Sequence, residues 1–353
     1  MARSLDDLEG ISKRDSGNML GAVSRFPDLL VDAAHFTPVD VAQPKASIEN
    51  IVLVGMGGSA SAADVLLDWL GDKTGIPVFV VREPTLPKFV NRKTLLIAIS
   101  YSGETGETLA AFGKARERRC SLAAVTSGGR LQAICSRTGL PSLQLAAGLV
   151  PRSALSQMVG AGALILQGFG IVRGVRRSLL ETGHELMSLR TMVRAEVPVS
   201  KNRAKQMALK LEDMLPVVYS LQRMSSVARR AKNQFAENSK VAAKFDLLPE
   251  AGHNEVEAWG AKSRTLVPLL VRDSEESSEE RAVFAAFKAV LRNAVGVAPL
   301  EVRTEARSPL GRLLGPILFI DYVSVYLAFL RGVNPTPTQG IRHYRRLYTT
   351  VKG

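Results

Sequence analysis

The chain has 353 residues, of which 46% are hydrophobic, and a formal net charge of +13. This length and apolar content are those of a folded globular protein with a core large enough for two domains. The two cysteines, Cys120 and Cys135, are too few for a disulfide framework or a cysteine metal cluster, which suits a reducing cytoplasm.

The basic residues are spread along the chain, and no zinc-finger spacing or recognition-helix motif accompanies them. We therefore expect no nucleic-acid partner, whereas excess positive charge would attract anionic substrates. No apolar run reaches about 18 residues, so no membrane span is expected. The polar N-terminus, residues 1–7, has no secretory core.

Strands and helices alternate in the first part of the chain. An amphipathic helix is predicted over residues 17–33. Strands are predicted at 51–54, 78–81, 94–99, 121–125 and 142–145. Helices are predicted at 60–70, 86–91, 105–118 and 129–137. This alternation predicts a parallel sheet covered on both faces, with ligand loops at the carboxyl ends of its strands.

A second strand–helix unit is predicted later in the chain. Residues 153–170 are nearly uncharged and rich in small side chains, which predicts a buried helix at a domain or subunit interface. The second unit is predicted to contain strands at 215–220, 266–271 and 299–303 and helices at 223–238, 279–295 and 311–331. A loop reaches about residue 259, and a turn at 334–338 precedes a basic helix.

The predicted fold class is therefore α/β, with two doubly wound parallel-sheet subdomains, each an α/β/α sandwich. Its predicted units are an N-terminal helical segment at 1–45, a first subdomain at 46–180, a helical connection at 181–214 and a second subdomain at 215–353.

Two loops of the first subdomain are suited to binding an anion. Gly55–Ser59 is a glycine-rich turn between a buried strand and a helix, where backbone N–H groups and the helix dipole can hold a phosphate. It comes close to the dinucleotide motif G-x-G-x-x-G/A, but this match is weak, because after the second strand Glu83 is no more than a candidate for the acidic residue that the motif requires. The other interpretation is a glycine turn that packs a helix closely on a strand.

The second loop, Ser100–Thr108, follows the strand at 94–99 and contains several hydroxyl groups before a helix start. Such a loop can bind phosphate without a lysine, and the lysine-containing nucleotide P-loop motif is absent. One such loop could be an ordinary helix cap, but two at the same sheet edge predict a monophosphate site. The predicted phosphate-binding residues are Gly57, Gly58, Ser59, Ser100, Ser102 and Thr105.

These two loops, in this order, resemble the sugar isomerase (SIS) phosphosugar-binding domain. Three further stretches make the chain similar to the bifunctional phosphoglucose/phosphomannose isomerases over roughly residues 20–345: Val150–Arg152, Ala236–Lys240 and Gly252–Glu257. The resemblance implies two SIS-type subdomains and a cytoplasmic homodimer with a shared active site. It also implies a sugar 6-phosphate substrate and no metal or cofactor.

The resemblance implies roles for three catalytic residues. Glu237 would move a proton between C1 and C2 through a cis-enediol, and Phe235 and Ala236 would shield it partly from water. His253 would open the sugar ring, since a neutral imidazole can carry a proton near neutral pH; in this family it can come from the partner chain. Arg152 would stabilise the enediolate. The alternatives are a helix-surface glutamate, a helix-capping histidine and an interface ion pair.

The C-terminal segment departs from the family's pattern, because the family's lysine position is Arg345 here. A guanidinium can hold charge near the ring oxygen but is a poor proton donor. Thr338 stands where the family has a threonine that leaves room for both C2 epimers.

The sequence thus predicts an isomerase of glucose 6-phosphate or mannose 6-phosphate and fructose 6-phosphate, acting in glycolysis and gluconeogenesis. A non-catalytic sugar-phosphate sensor and an isomerase of another phosphosugar are the alternatives.

Overall fold

Two parallel β-sheets form the centre of the computed structural model, which describes residues 4–39, 41, 47–260, 265–296 and 298–352. Strands β1 to β5 are Asn50–Val54, Val78–Val81, Thr94–Ile99, Ser121–Thr126 and Ser142–Gln144. Strands β6 to β9 are Leu215–Leu221, Lys244–Leu248, Leu266–Arg272 and Leu300–Arg303. The sheet orders are β2-β1-β3-β4-β5 and β7-β6-β8-β9, so the second sheet repeats the order of the first four strands. The predicted α/β class with two doubly wound parallel sheets is confirmed.

Helices surround the two sheets. Helices α1 to α7 are Leu8–Arg14, Met19–Ser24, Phe26–Ala34, Gly58–Leu70, Gly106–Glu117, Gly129–Thr138 and Leu155–Gly168. Helices α8 to α13 are Val175–Val193, Arg203–Lys210, Ser225–Gln234, Ser278–Val290, Pro309–Leu330 and Gln339–Lys352. Short 3₁₀ helices lie at Val199–Lys201, Gln222–Met224, Glu250–His253 and Glu255–Gly260. Single π-helical turns lie at Phe235–Ser239 and Leu291–Val295.

Helices α7 and α12 lie at the centre of the core that both sheets share. The stretch predicted as a buried helix, α7, packs against α3 and α4, while α12 packs against α8, α9 and α10. Helix α12 is long and apolar enough to cross a membrane, but its most hydropathic window is 100% buried within the protein, as in a core helix. One hydrophobic cluster includes Leu95 of the first sheet and Leu269 of the second. The shared core therefore fixes the two sheets relative to each other.

Several of the predicted elements are wrong or incomplete. Residues 86–91 form turns and bends, in which the Val90 N–H donates to the Pro87 carbonyl (3.2 Å) and Arg118 Nη1 donates to the carbonyls of Pro87 and Val90 (2.7 and 3.3 Å). The predicted loop before residue 259 contains strand β7, whose polar residues obscured the apolar pattern of this sheet-edge strand. The predicted helices at 223–238 and 279–295 give way to π turns after Gln234 and Val290. The predicted helix at 17–33 is divided into α2 and α3.

Candidate active site

The two predicted phosphate loops meet where the strand order of the first sheet reverses, between β1 and β3. Helices α4 and α5 begin in these loops, so their N-terminal N–H groups converge on the same place. The buried Ser59 hydroxyl accepts a hydrogen bond from the Tyr101 backbone N–H (3.2 Å) and contacts the Met158 sulfur (3.6 Å). The two loops are therefore joined directly.

A cavity of about 730 Å³ opens on these loops. Its loop-side lining consists of Met56, Gly57, Ser102, Glu104, Thr105, Gly106 and Glu107. Of the predicted phosphate ligands, Gly57, Ser102 and Thr105 line the cavity. Gly58, Ser59 and Ser100 lie behind it, where the Ser100 hydroxyl donates to the Thr105 hydroxyl (3.3 Å). These three residues support the loops instead of lining the cavity.

A third loop, Thr126–Gly129 after β4, supports the second one and was not identified from the sequence. The backbone N–H and hydroxyl of Ser127 both donate to the Tyr101 carbonyl, at 2.9 and 2.6 Å. Gly103 has φ +66°, and a Cβ there would lie 1.9 Å from the Gly128 carbonyl oxygen. The signal was present, since Ser127-Gly128-Gly129 is another small-residue turn that begins a helix.

The loop that carries Arg152 is attached to the phosphate loops. The Tyr101 hydroxyl donates to the Ala146 carbonyl (2.8 Å) and accepts from the Leu149 N–H (2.7 Å). Gly58 packs closely on this loop, since a Cβ there would lie 3.3 Å from Arg152 Cα. The position of Arg152 is thus set by the same sheet edge that would hold the phosphate.

The Arg152 side chain reaches from the first subdomain to Glu237 in the second. Its Nη1 lies 3.6 Å from Glu237 Oε2, with 5% of the Arg152 side chain and 24% of the Glu237 side chain exposed. Nε donates to Asn238 Oδ1 (2.8 Å), and Nη2 donates to the carbonyls of Pro335 and Thr336 (both 2.9 Å). The structure therefore brings together two of the predicted catalytic residues.

Glu237 lies on the π turn that ends α10, an irregularity that is frequent at functional sites. The neighbouring Asn238 amide donates to the Ser324 hydroxyl (2.9 Å), and the Ser239 hydroxyl donates to the Ser324 carbonyl (2.6 Å). Both contacts are buried, so α12 holds the turn that presents the carboxylate. Sequence reasoning missed Ser324, which lies in an apolar helix without a motif.

A buried ion pair supports this arrangement from behind. Arg230 Nη2 donates to Asp321 Oδ2 (2.7 Å) and to the carbonyl of Arg152 (2.8 Å). Burial raises the pKa of Asp321, and the charge of Arg230 opposes that shift. The pair therefore ties α10, α12 and the Arg152 loop together.

Lys240 is a site residue to which sequence reasoning gave no role, although it belongs to the quoted Ala236–Lys240 motif. Its ammonium group donates to the carbonyls of Glu237 and Pro337, the latter at 2.8 Å. Burial and the neighbouring charge of Arg152 lower the pKa of Lys240, and Glu237 opposes this shift. Lys240 and Arg152 together hold the turn that leads to Thr338.

Glu237, Lys240 and Thr338 line one cavity of about 650 Å³. Helix α13 begins there and continues to the phosphate loops, since Ile341 lines both this cavity and the one of about 730 Å³. Arg345 lines the phosphate-loop cavity together with Ile341, Tyr344 and Tyr348. Thr338 and Arg345 thus line two neighbouring cavities that have Ile341 in common.

His253 is not brought to Glu237 within the chain. It lies exposed on the 3₁₀ helix after β7 and is not among the residues that line either cavity. The following segment is anchored, because Trp259 Nε1 donates to the Tyr219 hydroxyl (2.8 Å), which in turn donates to Glu255 (3.2 Å). The segment therefore presents His253 on the surface.

The corresponding edge of the second sheet, between β6 and β8, is occupied by ion pairs between side chains of the protein. Arg223 pairs with the buried Asp273 and with Glu280, whose Oε1 lies 2.6 Å from Arg223 Nε. Arg312 adds a contact to Asp273 at 3.6 Å. The carboxylates neutralise these arginines, so the first sheet offers the better phosphate site.

Comparisons with known proteins agree with this geometry. A model of the SIS domain matches residues 46–133, and a model of the bacterial phospho-glucose isomerase C-terminal SIS domain matches residues 200–347. A bifunctional phosphoglucose/phosphomannose isomerase of Caldicellulosiruptor bescii is 34% identical over 309 residues, covering 86% of this chain and 91% of the relative. One of Aquifex aeolicus is 33% identical, covering 87% and 92%.

Among solved structures, a hypothetical protein of Thermus thermophilus superposes with a TM-score of 0.74 at 19% identity, covering 99% of this chain and 94% of the other. That likeness concerns the fold alone. The two sequence relatives and the matched domain models establish the family as well as the fold. The chain belongs to the bifunctional phosphoglucose/phosphomannose isomerase family.

Proposed function

We propose that this protein interconverts glucose 6-phosphate and mannose 6-phosphate with fructose 6-phosphate. The observation that carries the proposal is the pairing of Arg152 with Glu237 at 3.6 Å beside a cavity that Thr338 also lines. Phosphate binding alone would require neither residue. A sugar phosphate could place its reacting carbons here and its phosphate at the loops of Gly57, Ser102 and Thr105.

In the proposed mechanism, His253 would pass the proton of the C1 hydroxyl to the ring oxygen and so open the aldose to its C1 aldehyde. The Glu237 carboxylate would then remove the proton from C2, leaving a cis-enediolate, and would return it to C1, while the proton of the C2 hydroxyl moves to the C1 oxygen to give the ketose. Arg152 would stabilise the negative charge on the enediolate oxygens, since it is a fixed and buried cation beside the Glu237 carboxylate. We expect no metal or cofactor to be required.

We further propose that the working unit is a cytoplasmic homodimer, which would serve glycolysis and gluconeogenesis. The exposed position of His253 supports this proposal, because a histidine on the surface of one subunit can complete the active site of the other. Each active site of such a dimer would combine Glu237 and Arg152 of one chain with the histidine of its partner.

A coupled assay with glucose 6-phosphate and mannose 6-phosphate tests the activity. Wild type should turn over both substrates, and Glu237→Gln should lose at least about 10³-fold in kcat while still binding fructose 6-phosphate, because the amide cannot accept the proton. Glu117→Gln, which removes an exposed carboxylate at the end of α5, is the matched control and should be unaffected. Pure wild type that binds the sugar phosphates without turning them over would favour a sensor instead.

A further inference from the structure

One face of the exposed helix α13 is turned towards the phosphate loops across the cavity of about 730 Å³. The side chains of Ile341, Tyr344, Arg345 and Tyr348 recur at helical spacing and line the phosphate-loop cavity. At 1.5 Å per residue, Arg345 lies about 10 Å along the chain from Thr338, which lines the Glu237 cavity. The helix therefore places Arg345 among the residues that line the phosphate-loop cavity, where the phosphate of the proposed substrate would lie.

The charge of this cavity also indicates a role for Arg345. Among the described residues that line it, Arg345 has the only basic side chain, whereas Glu104 and Glu107 contribute carboxylates. Glu104 already accepts from the backbone N–H and Nε of Arg130, both at 2.7 Å. A dianionic phosphate at these loops would need a cation beside the hydroxyl and N–H donors, and Arg345 is placed to supply it.

We infer that Arg345 is a ligand of the substrate's phosphate group and takes no part in ring opening. A planar guanidinium can donate two parallel hydrogen bonds to a phosphate, whereas it holds its proton too tightly to act as an acid near neutral pH. The inference rests on the proposed function for the identity of the phosphate-bearing substrate. It leaves ring opening to His253.

Titration of full-length protein with inorganic phosphate in a calorimeter tests this role without turnover. Arg345→Gln should raise the Kd for phosphate at least about 10-fold, the loss expected for one charge-assisted contact. Arg345→Lys, which keeps the charge but not the paired donors, should raise it about 3-fold. Arg342→Gln on the same helix makes the same charge change outside the cavity and should leave the Kd unchanged.

Steady-state kinetics with fructose 6-phosphate separate the two roles of Arg345. The inference predicts a raised KM and a kcat within about twofold of wild type for Arg345→Gln, since binding and not chemistry is affected. An Arg345→Gln variant with an unchanged Kd for phosphate and a reduced kcat would overturn the inference. An equal loss of phosphate affinity in Arg342→Gln would also overturn it, as would a wild-type protein that does not bind phosphate. If wild type bound phosphate through Arg345 yet isomerised no sugar phosphate, the proposed function would fail and this inference would stand.

Discussion

The guanidinium of Arg152 and the carboxylate of Glu237 lie 3.6 Å apart, from Nη1 to Oε2, although they come from different subdomains. The arginine is the more deeply buried partner, and the carbonyls of Pro335 and Thr336 fix its position. A cation held in this way needs no reorganisation when negative charge develops on the substrate, which is the condition for strong electrostatic catalysis.

We therefore expect Arg152→Gln to lower kcat by about 10²- to 10³-fold, since the enediolate would lose its cation. Arg152→Lys should retain part of the rate but lose the contacts to both carbonyls. Steady-state kinetics and thermal unfolding would be measured on both variants, with the exposed Arg116→Gln as the control. A variant that loses stability but keeps its kcat would show that Arg152 only holds the subdomains together.

The surface position of His253 predicts complementation between two inactive variants. Glu237→Gln and His253→Ala would each be inactive as homodimers, but a mixed dimer contains one site with both residues intact. After exchange of subunits, an equimolar mixture should recover about a quarter of wild-type activity, because half of the dimers are mixed and each has one working site. No recovery after exchange confirmed by mass spectrometry would place His253 and Glu237 in a site formed by one chain.

The backbone conformation of the second phosphate loop, Ser100–Thr108, is expected to require glycine at position 103. Its positive φ and the 1.9 Å approach to the Gly128 carbonyl leave no room for a methyl group. Gly103→Ala should therefore lower the free energy of unfolding by about 2 kcal/mol or more and weaken phosphate binding. Gly113→Ala, where a Cβ meets nothing within 4 Å in helix α5, should be neutral or stabilising. Equal effects of the two changes on the unfolding midpoint in urea would contradict this account.

The fold and the position of the two candidate phosphate loops at one sheet edge were predictable because their signals are local. Ile51–Val54 and Leu95–Ile99 are continuous apolar runs that end in small or hydroxyl residues, and such runs form the buried strands of parallel sheets. Strand β7 lacked this signal, since Lys244 and Asp246 are tolerated at a sheet edge with partial exposure.

The contacts of the candidate active site were not predictable from local pattern, because they join distant elements. The resemblance to the isomerase family singled out Arg152 and Glu237, but the contacts of the Arg152 loop with α10 and its π turn, which bring them together, form only in the folded chain. Ser324 has no sequence signal, since its hydroxyl acquires a role only when the π turn lies against it. The position of Arg345 beside the phosphate loops depends on the path of α13 and became visible only in the structure.

Asp68 predicts a pH dependence of stability at the junction between α4 and α10. It accepts hydrogen bonds from the Ser226 N–H (2.7 Å) and the Ser225 hydroxyl (3.1 Å), and burial raises its pKa from 3.8 to about 6. Between these two values the folded protein keeps a proton that the unfolded chain releases, so stability falls as the pH rises through this window.

The Asp68→Asn variant tests this dependence, because its side chain stays neutral and can still accept a hydrogen bond from the Ser226 N–H. It should therefore exceed wild type in free energy of unfolding by about 1 to 3 kcal/mol at pH 7.5, while the difference should nearly vanish at pH 4. Urea unfolding at both pH values measures this difference, and an Asn variant less stable than wild type at pH 7.5 would show that the N-terminal dipole of α10 outweighs the cost of burial.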